Sequence, residues 1–451
     1  MENSSHIKKE DSKFRFYKRG EPWVWLCGAS LALVVFMMAM LLWILASNAV
    51  VAFWPQKVLF LQNGSEMVLG QEVKKKTDPI HGERIQLKVG NRDLYGFDFR
   101  WVKTAEFGEA TYPLDALVVE RMENGNFYGF AIEGYNQDKK GPLRVRSVDG
   151  RELTIEHHDI VRVFQPNNMS VFDKIVYYAK RIFELFTAQP RESNTEGGLF
   201  PSIFGTVMMV FLMSILSFPF GVVAGIYLRE YAKEGTLVTL VRIAINNLAG
   251  IPSIVFGIFG LSFFIYGIGA SIDQIFFAHR LPEPTFGTGG ILWASLTLGV
   301  MTIPVVIVAT EEALDAIPNA IRESSLALGA TKLQTLIKTL LPLASPGIMT
   351  GFILSMSRAA GEVAPLMITG VVKLAPDLPL SLEWPFFHFD RKFMHLGFHI
   401  YDISSQSPNV EAAMPMIYVT AALLLVVVLG LNGSAILLRT KMRRKYKTGA
   451  L

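Results

Sequence analysis

Residues 323–342 read ESSLALGATKLQTLIKTLLP. The stretch lies between two apolar runs and is too polar to be a third, so it reads as a loop between membrane crossings. Leu326, Leu333, Leu336, Ile337 and Leu340 recur at near-helical spacing, and Gly329, followed by Ala330 and Thr331, interrupts them, which predicts helix, turn, helix. Ser324, Ser325, Ala327 and Gly329 are small enough to let another surface approach the backbone. Pro342 and Pro346 are expected to stop the second helix before the next span.

Outward from this loop, apolar runs at about 201–228, 246–268 and 289–309 precede it, and runs at about 347–372 and 412–438 follow it. A first span runs from about Val24 to Ser47, near the roughly 20 residues that a membrane helix needs. It is longer than a signal-peptide core and has no small-residue cleavage site, so it reads as a retained anchor. Lys8, Lys9, Lys13, Arg15, Lys18 and Arg19 before the first span, and RTKMRRKYK after the last, place both termini in the cytoplasm. Counting spans then puts the 323–342 loop inside as well. The expectation is a multi-pass membrane protein.

A hydrophobic content of 51% over 451 residues and a mean hydropathy of +0.34 exclude an ordinary soluble enzyme. The formal charge of +4 is small, and no basic stripe interleaved with aromatics suggests nucleic acid. The single Cys27 rules out an intrachain disulfide and a multi-cysteine metal site. His157-His158, with no clustered carboxylates at ligand spacing, reads as surface histidines on a strand, and no metal site is expected. A glycine-rich phosphate loop with Lys and Ser or Thr is missing from the sequence, so the chain is not expected to hydrolyse nucleotide.

Five segments result. Residues 1–20 form a cytoplasmic N-terminal segment, 21–54 the first span, 55–198 an extracytoplasmic β-rich insertion, 199–439 a five-span core with a loop at 311–346, and 440–451 a basic tail. In the insertion, Asn124-Gly125 and Asp149-Gly150 separate short runs rich in Val, Ile, Phe and Tyr, which predicts antiparallel hairpins. A helix should open at Ser170 with Asp173 completing a capping box. Its Ile175, Val176, Ala179, Ile182, Phe183 and Phe186 share one face, which either lies on the outer membrane surface or packs on the β domain. PRESNTEGG, ending at Gly198, reads as a linker.

Within the core, Gly250, Pro252 and Gly257 mark a hinge or close packing. Arg358 and Glu362 fall well inside an apolar run, where a charge costs several kcal/mol and must face the bundle interior or water. Four residues apart on a helix, they share a face and can pair. They form either a self-neutralised structural pair or an anion path in which guanidinium donors meet phosphate-like oxygens.

The spacing of Glu323, the small residues, Gly329 and Leu341-Pro342 resembles the EAA loop of ABC importer permeases. SRAAGEVAPLMITG and AGIPSIVFG extend the likeness over roughly Phe200 to Arg439, toward the phosphate importers of that family. Ser324 and Ser325 stand where alanines are usual, Thr339 where isoleucine is usual, and the insertion at 55–198 lies outside the compact family pattern. The resemblance implies an all-α polytopic fold of six transmembrane helices carrying that insertion. It implies that Glu323, Ser324, Ser325, Gly329, Leu341 and Pro342 dock on an ATPase, and that Arg358 and Glu362 line the substrate path. It further implies a sister permease, an ATPase dimer that uses the ATP, a periplasmic phosphate-binding protein and membrane lipid as partners, with no cofactor held by this chain. Another oxyanion such as sulfate or molybdate, or a membrane sensor or channel with an outer β domain, are the alternatives.

Overall fold

A computed structural model describes residues 21–64, 66–78, 82–132, 141–407 and 410–447. The basic segment at 1–20 lies outside the described residues. Helix α1 (Glu21–Val51) leads into a domain of two antiparallel sheets. The first has the order β1 (Val58–Asn63), β2 (Glu66–Asp78), β3 (Gly82–Lys88), β4 (Phe99–Lys103). The second holds β5 (Leu117–Arg121), β6 (Phe127–Ala131), β7 (Leu143–Arg146), β8 (Glu152–Ile155) and β9 (Ile160–Phe164) in the order β8-β7-β6-β5-β9.

Strand periodicity decides which residue goes where. Val58, Leu69, Val118 and Tyr128 fill the seam between the sheets, while their chain neighbours Leu59, Val68, Leu117 and Phe127 point to the opposite faces. A one-residue slip would reverse every one of these assignments. Asn124 (φ 65°) and Gly125 (φ 67°) both take the left-handed conformation in the β5–β6 turn, and Gly150 (φ 85°) does so between β7 and β8. His157 and His158 sit in a 3₁₀ turn between β8 and β9 and not on a strand.

Helix α2 (Val171–Thr187) opens with the capping box of Ser170 and Asp173. The segment after it is no loose tether. Lys88 Nζ meets Glu196 at 3.2 Å, Arg191 meets Glu184 at 2.7 Å, and Glu192 accepts from Arg92 at 2.6 Å and from the Gly125 N–H at 2.7 Å. Asn194, buried, donates to the Lys373 carbonyl at 3.0 Å and so ties the segment to the membrane part.

That part comprises α3 (Phe200–Ile226), α4 (Thr236–Leu248), α5 (Ser253–Phe276), α6 (Ile291–Asp315), α7 (Asn319–Ala327), α8 (Lys332–Gly361), α9 (Ala364–Thr369), α10 (Leu396–Ser405) and α11 (Val410–Lys447). Among the described residues six helices are long and apolar enough to cross a membrane: α1, α3, α5, α6, α8 and α11. Helix α6 is the most buried of them and α1 the least. Glycines bring the backbones of α3 and α8 onto α6: a Cβ at Gly221 or Gly225 would come within 2.7 Å of Val306 or Thr310, and one at Gly347 or Gly351 within 2.5 Å of Ala313 or Ala309. In lipid, where apolar burial drives helix association weakly, such close contact is what holds helices together.

Three expectations for the membrane part need correction. Pro342 and Pro346 do not end a helix, because α8 runs unbroken from Lys332 to Gly361. A π-helical turn at Leu336–Leu340 precedes Pro342, which occupies the first helical turn after it, and Ser345 Oγ donates at 2.8 Å to the Pro342 carbonyl that Pro346 cannot bond. The span expected at 246–268 is broken at Ala249–Pro252, so α4 is a separate short helix and the crossing shifts to Ser253–Phe276. The span expected at 347–372 ends at Gly361, since Pro365 lacks the N–H that would continue the ladder. The basic residues after the last span continue α11 as helix to Lys447.

Candidate functional site

The chain's membrane part has two ends, one carrying the β domain and one carrying the 316–331 loop. At the loop end Arg322 of α7 is the organising side chain. Its guanidinium donates to the Leu314 and Ile317 carbonyls, both at 2.6 Å, and meets Glu230 at 2.9 Å. The Leu314 carbonyl lies in the last turn of α6 and that of Ile317 just past it, where unpaired acceptors and the helix dipole favour a cation. Two more arginines brace the same end: Arg242 pairs with Glu311 at 3.2 Å, and Arg229 pairs with Asp315.

Beyond this base, Ser324 Oγ donates to the Ala320 carbonyl at 2.7 Å and Ser325 shares a hydrogen bond with Thr335 at 2.9 Å, so both serines are satisfied within the loop. Gly329 (φ 85°) makes the turn, in open space, so its conformation and not crowding requires glycine. Thr331 then caps α8 with Gln334 in a capping box. Around the turn Leu326, Leu333 and Ile337 are exposed and Leu328 is 89% exposed. The structure thus gathers Glu323, Ser324, Ser325 and Gly329 at one tip. Leu341 and Pro342 lie apart from it in the first turn after the π-helical stretch, with Leu341 packed beside Leu314 and Ile317.

The second locus is the far end of α8. Arg358 lies in its last turn, and Glu362 caps it in extended conformation (φ −80°, ψ 137°), outside the helix. Nε of Arg358 stands 3.6 Å from Oε1 of Glu362, wider than a hydrogen bond, and both side chains are partly accessible. Among the described residues the Arg358 guanidinium meets no other carboxylate, which leaves its forked donors available to an anion. Gly257 fits here too: a Cβ would meet the Pro365 Cα at 2.8 Å, so the glycine lets α5 lie against the start of α9. Gly250 and Pro252 occupy the break before α5.

Sequence reasoning did not find Arg322, Glu230, Asn194, Lys373 or the Ser357–Asn432 hydrogen bond of 2.8 Å that joins α8 to α11. Only Asn432, a lone amide in an apolar run, carried a visible signal.

Residues 217–444 match the family described as binding-protein-dependent transport system inner membrane component. The chain belongs to this family. It is therefore a multi-pass inner-membrane permease subunit of an ABC transporter and not an enzyme. It is 30% identical over 238 residues to the probable ABC transporter permease protein YqgI of Bacillus subtilis, covering 51% of this chain and 74% of that one. It is 33% identical over 172 residues to the phosphate transport system permease protein PstA 1 of Mycobacterium tuberculosis, covering 38% of this chain and 51% of that one. With the phosphate transport system permease protein PstA of Yersinia pestis the identity is 32% over 188 residues, covering 42% and 58%. The chain thus spans between half and three fifths of the length of these two phosphate permeases.

Proposed function

We propose that this chain forms, with a sister permease, the translocation path of an ATP-driven importer of inorganic phosphate. The observation that carries the reading is the Arg358–Glu362 pair at the broken end of α8, where a guanidinium with unfilled donors faces a carboxylate 3.6 Å away. The arginine would take the phosphate oxygens, and the carboxylate would keep the anion from being held too tightly to leave. Relatives named as phosphate transport permeases support the choice of substrate.

In this reading the loop end faces the cytoplasm with both termini, and residues 55–198 lie outside. Glu323, Ser324, Ser325 and Gly329, with the exposed leucines beside them, dock on an ATPase dimer of the PstB kind, while Leu341 and Pro342 pass its motion into α8. A PstC-like sister permease completes the pore and a PstS-like binding protein delivers the anion. ATP is bound and hydrolysed by the partner alone.

The test is phosphate uptake by proteoliposomes of the assembled complex. Arg358→Glu should abolish uptake while the complex still assembles, and normal uptake by that variant would end the anion-path assignment. Sulfate or molybdate competing better than unlabelled phosphate would reassign the substrate.

A further inference from the structure

Helix α2 carries an apolar stripe that the other described residues leave uncovered. Its polar side is fastened to the β domain: the Tyr177 hydroxyl donates to Glu120 at 2.7 Å, Arg181 reaches Glu120 at 3.3 Å, and Arg162 reaches Glu184 at 2.8 Å. An adjacent edge packs on the membrane helices, where Leu185 is buried with Phe53 and Leu199. What remains is Phe172, Ile175, Val176, Phe183 and Phe186, spread over an arc of about 100° at 3.6 residues per turn. Phe172 is 73% exposed and Phe183 70%.

The height of this stripe follows from its neighbours. The Leu199 N–H, just before α3, donates to the Leu185 carbonyl at 2.8 Å. Just past the end of α1, Phe53 lies 5.2 Å under the Arg181 guanidinium, and the Trp54 ring lies 6.2 Å from that of Tyr178. Helix α2 therefore sits beside the last turn of α1 and the first turn of α3, the ends of two apolar spans.

We infer that α2 lies in the lipid interface on the domain side, its apolar stripe in the boundary between headgroups and acyl chains, and so holds the β domain against the bilayer. A stripe of aliphatic and phenyl groups without a polar atom suits acyl chains, and exposed Lys180 at its margin suits lipid phosphate. This resolves the two readings of the helix: its polar side binds the β domain and its apolar side binds lipid. The inference does not depend on the transported substrate.

The test uses the full chain with Cys27→Ser and, singly, Phe172→Cys, Phe183→Cys or, as an aqueous reference on the β domain, Glu109→Cys, each labelled with an environment-sensitive fluorophore in phosphatidylcholine–phosphatidylglycerol vesicles. Labels at 172 and 183 should be quenched by lipid spin-labelled near the headgroup, and iodide should quench them at least about threefold less than the label at 109. Iodide quenching equal to that at 109 would place the helix in water. Protection from both quenchers would mean that protein covers the stripe. Either result overturns the inference.

Discussion

The two ends of this permease are built on opposite terms. At the domain end the 190–198 segment is closed by Lys88–Glu196, Arg92–Glu192 and Arg191–Glu184, and Asn194 locks it to the membrane helices. At the loop end only the base is closed, by Arg322, while Leu328 and its apolar neighbours stand in solvent. One end is tied across by ion pairs between distant segments; the other leaves its apolar tip exposed. The domain end should therefore behave as one rigid body with the bundle, and, on the proposed docking, the loop end as a surface covered on assembly.

The difference can be broken first at the loop end. Arg322→Ala removes the partner of four acceptors at once, Glu230 among them, which should cost on the order of 3 kcal/mol. A clear drop in the thermal midpoint of the purified complex is expected, and an unchanged midpoint would show that Arg322 does not organise this end.

Gly329→Trp comes next. A side chain at φ 85° costs about 1–2 kcal/mol, and the indole would project from the tip proposed to dock. Uptake should fall while ATP hydrolysis continues, so the ratio of phosphate imported to ATP consumed is the quantity to follow. Full coupled transport would count against docking through this turn.

At the domain end Asn194→Ala should cost about 1 kcal/mol, the worth of one buried hydrogen bond. Faster amide exchange along 190–198 with normal ATPase coupling would sharpen the contrast; unchanged exchange would show that the segment does not need this tie.

The last effect is absent at neutral pH. Burial alone would raise the Glu196 carboxyl, but Lys88 and Arg181 more than reverse it; at Glu184, Arg181, Arg162 and Arg191 do the same. Both carboxyls are thus held below their ordinary value of 4.5. Groups depressed by folding contribute stability that is complete above the ordinary value and disappears as pH falls through the lowered one. The domain end should stay protected from proteolysis down to about pH 4.5 and loosen below it. Loosening at pH 6 would show that other groups control it.

How much of this was legible depended on whether the cause was local. The hairpins at Asn124-Gly125 and Asp149-Gly150 and the cap at Ser170 follow from neighbouring residues, and the structure has them. Proline at 342 and 346 was misread because a π-helical turn and a serine hydroxyl absorb what the proline rule forbids. The 190–198 segment read as a linker because its ionic partners lie far off in sequence: Lys88 is 108 residues from Glu196, and Arg92 is 100 from Glu192. Arg358 and Glu362 were visible as charges in an apolar run. The break between them was not, although Pro365 held the reason.

Helix α6 meets α3 through Gly221 and Gly225 and α8 through Gly347 and Gly351, with main chain nearly touching side chain on both flanks. Such meshing leaves no slack for one of these three rods to slide past another. If motion enters at the Gly329 turn, the three rods should shift together, with local give confined to the π-helical stretches at Leu336–Leu340 of α8 and Gly260–Gly269 of α5.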